Sequence, residues 1–172
     1  AEARAVAARL DGATLRLGTR ATEAVLRSVG ATSRVIHVAT HALYRDEHPV
    51  FSAIRLARTR LDVLDLYGLR LSADLVTLSG CSTGVSFVAG GDELLGLSRG
   101  LLHAGAACVH LSLWDVDDES TTVYMTAFYE HYVAGHPPAV AAQRAAAATR
   151  ARFPHPYFWA PFVLVGQAAR AS

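Results

Sequence analysis

A chain of 172 residues, 52% hydrophobic and 18% charged, is long enough for one sizeable core and too apolar to be a disordered segment. A formal net charge of +1 leaves no electrostatic footprint for nucleic acid, and no apolar run reaches the ~20 residues of a membrane span. Two cysteines do not make a disulfide framework.

The start, AEARAVAARL, is charged from its second residue and has no apolar stretch of the signal-peptide kind, so a cytoplasmic chain is expected. It lacks Met, which reads as a piece of a longer protein. All 16 basic side chains are Arg, which with the alanine excess suggests a GC-rich bacterial genome.

In chain order, residues 1–10 and 20–29 are Ala-rich and amphipathic, and are expected as helices. RVIHVA (34–39) is a short β-branched run and reads as a buried strand. FSAIRLA (51–57) alternates more and suits an edge strand or hairpin arm. DLVTLS (74–79) reads as a second buried strand. DELLGLSRGLLHAG (92–105) spaces its leucines helically, with Gly105 as C-cap. ACVHLSL (107–113) is a third strand with Cys108 in its core. Residues 118–134 form a helix capped by Asp117 or Asp118, and 138–152 another, stopped by Pro154. FVLV (162–165) is a last strand. Strands alternating with helices predict one domain, residues 1–172, with a parallel α/β sheet. Opening on a helix suggests that a first strand lies upstream.

In such a sheet, reactive groups gather at the C-terminal ends of strands. RVIHVA runs into Thr40-His41-Ala42, and DLVTLS into Gly80-Cys81-Ser82-Thr83-Gly84. The second turn admits three readings. Cys81 is a nucleophile activated by the His41 imidazole, with backbone N–H groups of the Gly-flanked turn holding an oxyanion. Alternatively, G-x-S-x-G is a nucleophile elbow using Ser82, with Asp115, Asp117 or Asp118 and then His131, His136 or His155 downstream. Against the elbow, VSFVAGG follows the turn where a helix should begin. In the third reading neither residue does chemistry, and Cys81 and His41 merely pack.

The eight histidines are scattered along the chain and no C-x-x-C occurs, so no metal or cofactor is implied. His37 and His110 alternate with apolar residues and suit core or interface positions. LWDVDDES (113–120) puts Asp115, Asp117 and Asp118 after the third strand. One of the last two caps the next helix, which leaves Asp115 able to pair with a basic substrate side chain. Pro156-Tyr157-Phe158-Trp159 packs against the sheet end or walls a cleft.

ATHALYRDEHPVFSAIRLA, LVTLSGCSTG, GGDELLGLSRGLLHAGA, LSLWDVDDESTTVYMTAFYEHYVAG and HPYFWAPFVLVG resemble, in order, the blocks of the CHAT domain family. The resemblance implies a caspase-like α/β fold, an open and mostly parallel sheet flanked by helices on both faces. It implies a cysteine endopeptidase with a His41–Cys81 dyad and oxyanion donors on the backbone of Ala42 and Cys81. It also implies a protein substrate and a gating tetratricopeptide region or partner protein. The W-D-V-x-D pattern is similar to that of separases, which would give Asp115, and less so Asp118, a role in recognising a basic P1 residue. The family usually has Gly after its His, where this chain has Ala42; a positive φ there would cost Ala about 1 kcal/mol or more. The alternatives are an inert CHAT-like binding module and a Ser82 hydrolase.

Overall fold

Among the described residues four strands form the main sheet, and the parity of their residues decides which face each side chain takes. The computed structural model describes residues 1–40, 42–43, 53–80 and 92–167, and of 42–43 and 92–95 the backbone alone. The strands are β1 (Val35–Ala39), β5 (Leu75–Ser79), β6 (Cys108–Ser112) and β7 (Phe162–Gly166), in the order β1-β5-β6-β7. β1 pairs parallel with β5, Ala39 opposite Ser79, and β5 pairs parallel with β6, Leu78 opposite Leu111.

β7 runs antiparallel to β6, the one exception in the mostly parallel sheet among the described strands. The physical reason lies in α5 (Asp118–Val133) and α6 (Pro138–Arg152), which pack against each other across a four-residue link. Two successive helices return the chain to the sheet end that β6 has just left, so the next strand must run back. At that end the Leu113 N–H donates to the Pro161 carbonyl (2.8 Å). The sheet is still mostly parallel, as the resemblance implies.

Side chains alternate across the sheet with period two. Ile36, Val38, Val76, Leu78, Val109, Leu111, Val163 and Val165 face one core, with Leu66 of α3 (Val63–Tyr67) and Leu97 and Leu101 of α4 (Asp92–His103). Val35, Leu75, Cys108, Phe162 and Leu164 face the other, with Val6 of α1 (Glu2–Ala7), an aromatic set from α5, and Ala141 and Ala145 of α6. Small residues at Ala141, Ala145 and Thr149, each fully buried, let α6 lie close against α5. Coverage of both faces explains why these strands read as nearly unbroken apolar runs.

Side-chain caps start α2 (Glu23–Gly30), α3 and α5. Thr22 accepts from the Val25 N–H, Asp62 and Asp65 form a capping box, and Asp117 accepts from the N–H groups of Glu119 and Ser120. The five-residue α3 was too short to signal itself by periodicity. FSAIRLA supplies β3 (Ala53–Arg55), the middle of a small antiparallel sheet with β2 (Ala42–Leu43) and β4 (Arg60–Asp62). It is a hairpin arm, one of the two forms expected. The Thr40 hydroxyl donates to the Arg55 carbonyl (2.6 Å), which ties this hairpin to the end of β1.

Candidate functional site

The parallel pairing of β1, β5 and β6 brings three strand ends to one edge of the main sheet. β1 continues to Thr40, whose N–H donates to the Ser79 carbonyl (3.2 Å). β5 continues to Gly80, whose carbonyl accepts from the Ser112 hydroxyl (3.1 Å) at the end of β6. Thus the chain segments immediately before His41 and Cys81 are hydrogen-bonded neighbours. His41, Cys81 and Ser82 lie outside the described residues. Ala42 opens β2 opposite Ile54. Strand backbone has negative φ, so the strain weighed for Ala at this position does not arise.

Of the carboxylates after β6, Asp117 is the N-cap of α5 and thereby has a structural task. Asp118 is exposed in the first turn of α5, and its carbonyl accepts from the Thr122 hydroxyl. Asp115 is half-buried in the loop between β6 and α5. That loop is braced by Trp114, whose indole N–H donates to the Tyr157 carbonyl (3.0 Å). The aromatic turn, a 3-10 helix over Pro156–Phe158, therefore packs beside the Asp115 loop, with Tyr157 exposed and Arg150 over the Trp159 ring.

Behind the strand ends lies a polar network that the sequence reading missed. The Glu2 carboxylate of α1 meets His37 Nε2 of β1 (3.0 Å) and accepts from the Ser79 hydroxyl of β5. His37 Nδ1 lies 3.1 Å from the Tyr129 hydroxyl of α5, which lies 2.8 Å from Thr77 Oγ1. The side chains of His37 and Glu2 are 7% and 16% exposed, and Thr77 and Tyr129 are fully buried. One proton assignment satisfies the whole chain: Nε2–H donates to Glu2, Nδ1 accepts from Tyr129, and the Tyr129 oxygen accepts from Thr77. Ser79, His37 and Glu2 do not form a catalytic triad. Carboxylate and hydroxyl both meet the Nε2 edge, so no imidazole relays a proton from one to the other, and Ser79 is only 4% exposed. The signal for this network was the hydroxyl pair Thr77 and Ser79 at period two in an apolar strand, on the same face as His37.

Burial sets the other titratable groups here. It pulls the His110 imidazole down to about 3, helped by nearby His37, so His110 is a neutral core residue among Tyr124, Phe128 and Phe162. It pushes the Cys108 thiol up to about 11, which makes Cys108 inert packing as its apolar context suggested. Burial likewise raises the phenols of Tyr124 and Tyr129. Among the described residues no group of three His, Cys, Asp or Glu side chains could hold a metal ion. Among them no helix is long and apolar enough to cross a membrane.

The family model described as CHAT domain matches residues 1–167, nearly the whole chain. The protein belongs to the CHAT domain family. This CHAT domain thus sits in a family related to caspase-like peptidases, and its mixed sheet with helices on both faces agrees with that fold. It is 36% identical over 109 residues to tetratricopeptide repeat protein 28 of Mus musculus, a match covering 62% of this chain and 4% of the relative. It is also 36% identical over 114 residues to tetratricopeptide repeat protein 28 of Homo sapiens, covering 64% of this chain and 4% of the relative. The chain therefore spans a small fraction of the length of these curated relatives.

Proposed function

We propose that the CHAT domain is a cysteine endopeptidase in which His41 is the general base and Cys81 the nucleophile, acting on a protein substrate. The observation supporting this reading is the parallel register of β1 and β5. It makes Thr40 and Gly80, the residues that precede the two groups, neighbours at one sheet edge. The imidazole takes the thiol proton, and the thiolate attacks a peptide carbonyl. The Cys81 and Ala42 backbone N–H groups stabilise the oxyanion, and His41 then protonates the leaving amine. Asp115 pairs with a basic P1 side chain, and Asp118 contributes less because it stands exposed on α5. The relatives' name supports a tetratricopeptide context, and gating by such a region or by a partner is part of the reading. The domain is read as one unit of a longer chain in a bacterial cytoplasm, a source that the all-arginine basic set suggests.

The test is cleavage of a peptide library by the full-length protein with its partner, comparing wild type with Cys81→Ala, His41→Ala and Ser82→Ala. Loss in the first two with retention in the third is expected. Loss in Ser82→Ala alone would replace the dyad by the serine elbow. A wild type that cuts nothing while still binding its partner would make the domain an inert binding module, the reading that the non-enzymatic names of the relatives keep in play. Asp115→Ala is expected to abolish preference for basic P1 residues.

A further inference from the structure

Resting on the dyad reading, we propose that Glu2, Ser79 and Tyr129 are positioning residues for His41 and Cys81. Together they form a buried clamp that fixes the height of β1 relative to β5. β1 pairs parallel with β5, Ala39 opposite Ser79. Side chains that reach across both strands favour one register over its slipped alternatives. His37 of β1 supplies the handle. It is gripped at Nε2 by Glu2 of α1 and approached at Nδ1 by Tyr129 of α5.

Each grip also reaches β5. Glu2 accepts from Ser79, and the Tyr129 hydroxyl bridges to Thr77. The two strands are thus tied together twice, through α1 and through α5, at positions one and three residues before Gly80. The N–H of Thr40 on the Ser79 carbonyl carries the tie onward to the segment that precedes His41. A slip of β1 along β5 would leave several buried polar groups unpaired at once. The clamp therefore favours one relative placement of the segments leading to His41 and Cys81, on which the imidazole–thiol distance depends.

The test reads the thiolate itself. Full-length protein is labelled with iodoacetamide from about pH 5 to about pH 9, following the Cys81 peptide by mass spectrometry alongside thermal unfolding. Cys108 does not compete, being buried with its thiol pushed up to about 11. Wild type should label well below the pH of an ordinary thiol, and His41→Ala should lose that reactivity. Tyr129→Phe, Ser79→Ala and Glu2→Ala should move toward the His41→Ala profile. Labelling on its acid side should fall about tenfold for each pH unit that the midpoint rises. Glu2→Gln, whose Oε1 can accept the same two hydrogen bonds, should keep the wild-type profile. Folded variants that lose thermal stability yet keep that profile would overturn the clamp's role. Ser79→Ala, which removes one hydroxyl, guards against a variant that fails to fold. A wild-type profile already equal to that of His41→Ala would refute the dyad itself, and the clamp's role with it.

Discussion

Gly105 shows what a single residue must do to close α4 and start β6. Its φ is +112, and a Cβ there would lie 2.1 Å from the Leu71 carbonyl oxygen, a backbone atom that cannot step aside. Both the left-handed conformation and the close approach demand glycine. The C-cap read from DELLGLSRGLLHAG is therefore correct in position, but its second reason, the neighbouring Leu71 backbone, was invisible in sequence. Gly105→Ala is expected to destabilise the domain by about 2 kcal/mol or more, read as a lowered urea midpoint. A midpoint within error of wild type would show that the Leu71 segment yields. The same scale separates the two cysteines: Cys108 is accounted for by packing, so the thiol chemistry of the proposed reading falls to Cys81.

At the scale of elements, the proposed reading divides the acidic tract from β6 into α5 between a helix cap and a substrate contact. Asp117 satisfies two N–H groups of the first turn of α5. Asp117→Ala is expected to cost about 1 kcal/mol of stability by denaturant unfolding, with peptide preference unchanged. Asp115→Ala is expected, on the proposed reading, to alter that preference. An Asp117→Ala protein with altered P1 preference would show that the roles are wrongly divided. The α5–α6 pair governs the next element as well. Because two helices rather than one connect β6 to β7, the last strand is antiparallel, and its order in the chain alone gave no sign of this.

For the whole molecule, the buried row across the sheet links folding to acidity. His37, Thr77, His110 and Leu164 stand in register on successive strands, all facing α5. His110 Nδ1 has no hydrogen-bond partner among the described residues, and burial keeps the ring neutral down to about 3. In the unfolded chain the same imidazole takes up its proton near its ordinary value of about 6.5. Between those values the unfolded state binds the extra proton. Stability from this group is therefore fully present above about 6.5 and is lost as pH falls toward 3, by up to about 1.4 kcal/mol per pH unit. Urea unfolding of wild type and His110→Phe, compared from pH 7 to about pH 4, should give a shallower acid loss for the variant. Equal slopes would mean that His110 titrates alike in both states.

The sequence by itself determined the strands of the main sheet, the long helices, the cap at Gly105, the α5 cap to within Asp117 or Asp118, and the family, because each is written in local periodicity, local turn chemistry or an ordered set of blocks. RVIHVA and DLVTLS were legible as strands because an apolar run covered on both faces needs no partner to be recognised. Tertiary structure alone decided the direction of β7, set by two helices returning the chain to its starting end. It alone decided the meaning of Glu2, Thr77, Ser79 and Tyr129, which span from residue 2 to residue 129 yet share one hydrogen-bond network. A polar side chain in an apolar strand announces that it needs a partner. Which partner it finds depends on packing between elements far apart in the chain, and no local pattern carries that information.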